Sequence, residues 1–158
     1  MEDQSMRAII RPAAIADAAE LFRLNEEFNG EGTNALELVA QSLTHNQDEL
    51  IQVAEQDNML VGFLCARRLW SMCYDVRYAE LTELFVMPAY RKQGIASALI
   101  CAMELRLRGE DIHDIQLLTG KDNRQAQALY RKLDYAPTDE MMFRKRSRST
   151  TKCSATDS

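Results

Sequence analysis

The stretch that most restricts the fold runs from residue 79 to residue 120. The segment AELTELFVM (79–87) reads as a strand. It passes through VMPAYRKQGIASALI (86–100) into residues where Ile95, Ala98, Leu99, Ala102 and Met103 recur at i, i+3, i+4, i+7 and i+8. That spacing predicts a helix from Gln93 to about Arg108. A second apolar strand, DIQLLTG (114–120), follows at once. Strand, helix, strand in so short a span is a crossover, and it lays two strands parallel in one sheet.

The other segments add hairpins and helices to that unit. RAIIRP (7–12) reads as a strand ended by Pro12. Residues 14–28 carry Ala18, Leu21, Phe22 and Phe28 near helical spacing, with Asp17 placed at the positive end of the dipole. NGEGTN (29–34) is a loop by its Gly and Asn content, and a second short helix is expected over 35–44. ELIQVAEQ and MLVGFLCARRLW flank Gln56-Asp57-Asn58, the turn of a hairpin. Residues 123–133 predict a helix with Ala126, Leu129, Tyr130 and Leu133 inward, and MMFRK (141–145) a last strand. The expected fold class is α/β (α+β): one mixed, mainly antiparallel sheet flanked by helices. A single domain over residues 1–146 is expected, with 147–158 a disordered basic tail.

Charge is unevenly placed. Residues 1–60 hold three Lys/Arg against twelve Asp/Glu, residues 61–143 hold eleven of each, and 144–158 carry five cations and one Asp. So acidic a body argues against a broad nucleic-acid face, despite RKRSR near the C-terminus. No apolar run approaches the ~20 residues of a membrane span, and MEDQSMRAII has no signal-peptide core, so the expected location is cytoplasmic. Cys65, Cys73, Cys101 and Cys153 show no CxxC pairing and no His at metal spacing. They read as reduced, incidental thiols, and no metal is expected.

The loop between strand and helix has the ingredients of an anion site. The first N–H groups of a helix lack internal partners, and the dipole adds positive character there. Gly94 lets the main chain approach a ligand, Ala96 leaves space, and Arg91 and Lys92 bring charge. The loop is neither GxxxxGK[ST] nor a dinucleotide glycine triplet.

With its flanks, ELFVMPAYRKQGIASALI resembles the signature of the GNAT superfamily of N-acetyltransferases. Arg91, Gly94 and Ala96 fall on the defined positions of Arg/Gln-x-x-Gly-x-Gly/Ala. Asn123 with Ala128-Leu129-Tyr130 matches a second family feature, and IIRPA with Asp17 resembles the usual opening. The resemblance covers about residues 7–145. It is nearest to small aminoglycoside N-acetyltransferases, a likeness shared with uncharacterised relatives. It implies acetyl-coenzyme A as donor. The pyrophosphate would lie on Gln93, Gly94, Ile95, Ala96 and Ser97, beside Arg91 and Lys92. The pantetheine arm would run along Leu84, Phe85 and Val86, and Asn123 would cap its helix or hold the arm, two compatible roles.

Acetyl transfer to an amine needs a proton acceptor, because ammonium groups are mostly charged at neutral pH. Glu83 is the preferred base, and Glu80 is the second choice or a holder of the cationic acceptor; a solvated or salt-bridged strand carboxylate is the competing reading for either. Strict alternation would turn them to opposite faces, and a bulge of the kind usual in the family would bring both to the cleft. Tyr130 aligns with the family tyrosine that protonates the departing thiolate; a buried structural tyrosine is the competing reading. Glu26, Glu27 and Glu31 would form the acceptor wall, or simply a solvated loop. Asp134 replaces a Gly common among relatives and must tolerate a left-handed turn. The expected partner is a small cationic amine, with no nucleic acid, no membrane, and room for a homodimer. Polyamine or protein amino groups are rival acceptors, and a non-catalytic coenzyme A-binding domain is the rival class.

Overall fold

Alternation and hairpin turns become one five-stranded sheet in the computed structural model, which describes residues 7–146. Strands β1 (Ile9–Pro12), β2 (Glu49–Gln56), β3 (Met59–Leu69), β4 (Tyr78–Val86) and β5 (Asp114–Leu117) lie side by side in chain order. The first three junctions are antiparallel; β4 and β5 run parallel. Helices α1 (Ala18–Asn29) and α2 (Leu36–His45) link β1 to β2. The crossover is α3 (Ile95–Gly109), and α4 (Arg124–Lys132) follows β5. This is the mixed, mainly antiparallel sheet with flanking helices that the sequence implies.

Each sheet face has its own core. Leu64, Ala66, Leu81 and Val86 pack under Ile95, Leu99, Met103 and Leu107 of α3, with Leu129 and Tyr130 of α4 at the margin. On the opposite face Phe63, Cys65 and Phe85 meet Leu21 and Leu24 of α1. The β2–β3 hairpin closes through Asp57 and Asn58, whose φ values of 55° and 60° are those of a two-residue type I′ turn. Asp17 does more than face a dipole. Arg11 donates to its two oxygens at 2.7 and 2.9 Å and Ala14 N–H adds a 2.7 Å bond. The Arg11 bonds hold the Asp17 carboxyl below its ordinary range and tie β1 to the start of α1.

Gly62 marks a close approach of β3 and β4. A Cβ there would lie 2.8 Å from the Phe85 carbonyl oxygen and 3.2 Å from a Val86 methyl. Backbone cannot move aside cheaply, so Gly62→Ala is expected to destabilise by about 1–3 kcal/mol. Urea unfolding would show a lower midpoint with an unchanged slope.

Three expectations need correction. Residues 141–145 form no strand, and Met141 and Phe143 are 76% and 88% exposed. They pair with no strand, although β5 leaves an edge open, and propensity without a partner does not make a strand. The strand expected over 114–120 stops at Leu117, and Leu118 is exposed, because β5 pairs with β4 only as far as Leu81↔Leu117. In α3 the buried stripe is Ile95, Leu99, Ile100, Met103 and Leu107, while Ala98 is exposed: the long side chains, not the alanines, choose the face. The basic tail lies outside the described residues. Among those residues no helix is long and apolar enough to cross a membrane.

Candidate active site

The site begins where β4 and β5 part. They pair only from Tyr78 to Leu81, after which β4 continues to Val86 with that edge bare. Thr82 is a bulge: the register steps from Ala66↔Leu81 to Cys65↔Glu83 and leaves it unpaired. Its hydroxyl donates to the Cys65 carbonyl at 3.3 Å. Beyond it, Met87 N–H donates back to Val61 at 2.9 Å. Alternation along an antiparallel strand then turns the N–H and C=O of Val86 and Leu84 toward the open side. There the Val86 carbonyl accepts from Arg91 Nε at 2.8 Å. The remaining groups can take an extended ligand as an added strand.

The bulge also decides which way the carboxylates point. Glu83 lies opposite Cys65 and Glu80 opposite Arg67, two residues along β3. Both glutamates therefore share one sheet face, that of α1 and α2. Glu80 accepts from Gln116 Nε2 at 2.9 Å, within the closed part of the β4–β5 pair. Glu83 sits just past the closure. Although its side chain is exposed overall, partial desolvation raises its carboxyl above the ordinary value, and the charge of Glu49 adds to the rise.

At the end of β4 a 3₁₀ turn (Pro88–Tyr90) leads to Lys92 and Gly94, at φ 61° and 80°. Gly94 is the N-cap of α3 in the left-handed region, and a Cβ on it would meet nothing within 4 Å. The first helical bond is Ala98 N–H to the Gly94 carbonyl at 3.0 Å. The N–H groups of Gly94, Ile95, Ala96 and Ser97 thus have no backbone partner among the described residues. Arg91, Lys92 and Gln93 are exposed beside them. Ile95 buries its side chain and presents only its main chain. The Arg91 guanidinium is 5.9 Å from the Phe85 ring centroid.

Tyr130 approaches from the other face. Together with Glu83, Thr82, Leu84 and Leu118 it lines a small cavity of about 30 Å³ at the gap. Burial alone pushes its hydroxyl above the ordinary value, so it stays protonated at neutral pH. Its ring meets Tyr135 edge-on at 6.1 Å, and the Tyr135 hydroxyl donates to Glu104 at 2.7 Å. Asn123 caps α4, its Oδ1 accepting from Ala126 N–H at 3.1 Å. Asp134 adopts the left-handed turn, at φ 66°.

The acidic end of α1 is close to this face. Phe28 lies 5.2 Å from Phe85 and 6.2 Å from Phe63, ring to ring, which places the last turn over the row next to Glu83. Glu26 and Glu27 belong to that turn, Glu27 lying 3.8 Å from Arg23, and Glu31 is exposed in the loop beyond. A larger cavity of about 390 Å³ lies elsewhere, between Glu104 and Arg108 of α3, the start of β5 and Tyr135. It contains neither the bare β4 edge nor the free N–H groups, so size does not identify the site. Among the described residues no three His, Cys, Asp or Glu side chains are grouped to hold a metal.

The sequence reading missed Glu49 and the exact bulge residue, Thr82. The β2–β3 register steps by one between Ala54 and Glu55, so counting back from the Asp57-Asn58 turn would set Glu49 against Ala66 rather than Arg67, its actual partner.

Residues 16–135 match the model of the acetyltransferase (GNAT) family. An acetyltransferase of Yersinia pestis strain Pestoides F is 32% identical over 108 residues, 68% of this chain and 72% of that protein. The structure of aminoglycoside N-acetyltransferase AAC(6')-Iy in complex with CoA aligns with a TM-score of 0.79 and 18% identity. That alignment covers 92% of this chain and 99% of the other. A ribosomal-protein-alanine N-acetyltransferase from Brucella melitensis biovar Abortus 2308 aligns with a TM-score of 0.75 and 20% identity, over 89% and 99% of the two chains. At these identities the two structures show a common fold. Family match and relative together place the chain: it belongs to the acetyltransferase (GNAT) family and is an acetyl-transferring enzyme.

Proposed function

We propose that the protein moves an acetyl group from acetyl-coenzyme A to a primary amine of a small polycationic acceptor resembling an aminoglycoside. The observation that carries this reading is the convergence of Glu83 and Tyr130 on one gap, from opposite faces of the sheet. The bare β4 edge and the unpartnered start of α3 flank that gap. The parts fit the donor. Free N–H groups from Gly94 to Ser97, preceded by Gln93, would take the pyrophosphate, and Arg91 and Lys92 would add charge. Leu84, Phe85 and Val86 would hold the arm as a strand, with Asn123 beside it.

When bound, the donor supplies an activated acetyl thioester. Glu83 takes the proton that the acceptor's ammonium must lose before its nitrogen can form the new C–N bond. Tyr130 gives its hydroxyl proton to the sulfur as the C–S bond breaks, and the second proton that the nitrogen sheds on becoming an amide restores the Tyr130 hydroxyl. Raised proton affinities suit both roles: Glu83 as the better base, Tyr130 as a group still protonated when needed.

A cationic acceptor is favoured by Glu80 and Glu83 on one face and by Glu26, Glu27 and Glu31 at the end of α1. The aminoglycoside enzyme among the structural neighbours supports the same choice. A protein amino group is the second reading, supported by the ribosomal-protein-alanine enzyme. Free-thiol release, with product masses, should be followed for kanamycin- and gentamicin-type aminoglycosides, spermidine and peptides. Turnover greatest with the aminoglycosides is the expected result. Turnover confined to peptides would establish the second reading, and no thiol release with any amine would overturn the amine acceptor.

A further inference from the structure

Glu49 opens β2 and has no place in the mechanism above. It is half-buried and pairs in register with Arg67 of β3, which pairs in turn with Glu80 of β4. These residues therefore form a polar row on the face of α1 and α2, and the next row holds Ile51, Cys65 and Glu83. The Glu49 carboxylate is tethered: it accepts from Ser42 Oγ, and from Asn46 Nδ2 at 3.3 Å, at the end of α2. A surface carboxylate with two donors on a neighbouring helix has a fixed direction, which a freely rotating one lacks.

We propose that Glu49 is a positioning residue for the acetyl-transfer site. Its fixed negative charge, two strands across and one row along from Glu83 on the same face, biases Glu83 toward taking a proton from the acceptor's ammonium. This rests on the reading of Glu83 as the base. The physical reason is like-charge repulsion: two carboxylates on one partly desolvated face make the second ionisation harder, so one of them holds its proton more tightly. An unperturbed carboxylate is a poor match for an ammonium proton, and catalysis improves as the two affinities approach each other.

Glu83 is faced by charges of both signs, of which Glu49 is the one tethered from a neighbouring helix end. Arg67 stands between Glu49 and Glu80 in the neighbouring row and offsets part of their charge. Glu80 accepts from Gln116 but keeps its charge, and it lies on the same face of β4 as Glu83. From β5 that face presents Gln116, opposite Glu80, and Asp114, opposite Tyr78 at the far end of the pair from Glu83. From α1 come Glu26 and Glu27 at the helix end, from α2 His45 in its last turn, and from α4 Tyr130, neutral as argued above. Cys65, directly opposite Glu83, reports the same field. Burial first, then Glu49 and Glu83, push its thiol far up, so it remains a neutral neighbour.

The test is a carbon-13 NMR titration of the Glu83 carboxyl in the full chain, assigned by its loss in Glu83→Gln. Glu49→Gln keeps an oxygen to accept from Ser42 but removes the charge. The Glu83 midpoint should move to lower pH in that variant, and Glu49→Asp should keep it near wild type. The acidic limb of kcat/KM should move to lower pH in parallel. An unmoved Glu83 midpoint in a folded Glu49→Gln protein would overturn the proposal. A midpoint that moves while the kcat/KM limb stays would instead overturn Glu83 as the base.

Discussion

Replacing Glu83 with Gln is expected to leave coenzyme A affinity unchanged and to cut turnover by about 10²–10⁴-fold, the range for a positioned acid–base group. The amide keeps the shape of the side chain but cannot accept the ammonium proton. The defect should shrink as pH rises, because more of the acceptor then arrives already neutral. Glu80→Gln should matter less: its carboxylate is bonded to Gln116 where β4 and β5 are still paired. Rate profiles of the two variants from neutral to alkaline pH check this. A normal Glu83→Gln beside an inactive Glu80→Gln would transfer the role of base to Glu80.

Gly94→Val should act on the donor instead. At φ 80° an L side chain costs roughly 1–2 kcal/mol, and a branched one is the worst case. A Cβ at Gly94 meets no protein atom, so the core is not disturbed. The added methyl groups would occupy the space in which a phosphate must approach the N–H groups of α3. Calorimetry should therefore show coenzyme A binding weakened by about tenfold or more, equivalent to at least ~1.4 kcal/mol, in a protein that still unfolds cooperatively. Unchanged affinity would remove the loop from the donor site.

The contrast between these two positions reflects what was legible in the sequence. Gly94 is a local matter: a left-handed residue between a strand and a helix is marked by the glycine itself, and its neighbours Arg91 and Lys92 mark the charge. The hairpin at Asp57-Asn58 was readable for the same reason, whereas the turn at Asp134 was legible only through the Gly that relatives commonly carry there. The placement of Glu80 and Glu83 was not local. Three positions apart, they fall on opposite faces by alternation, and only the unpaired Thr82 brings them together. Such a bulge is settled by how β3 and β4 pair along their whole length. The expected strand at 141–145 fails for a related reason: Met141, Met142 and Phe143 favour extended chain, but a strand exists only against a neighbour. Glu49 was invisible because its meaning depends on register across three strands and on two donors from α2.

The most direct measurement of the central claim is backbone amide shift mapping as coenzyme A is titrated into the full chain. The account predicts the largest perturbations at Leu84 and Val86 on the bare β4 edge and at Gly94, Ile95, Ala96 and Ser97 at the start of α3. Perturbations confined to Ile112, Ile115 and Tyr135 around the larger cavity, with β4 and the start of α3 silent, would contradict it.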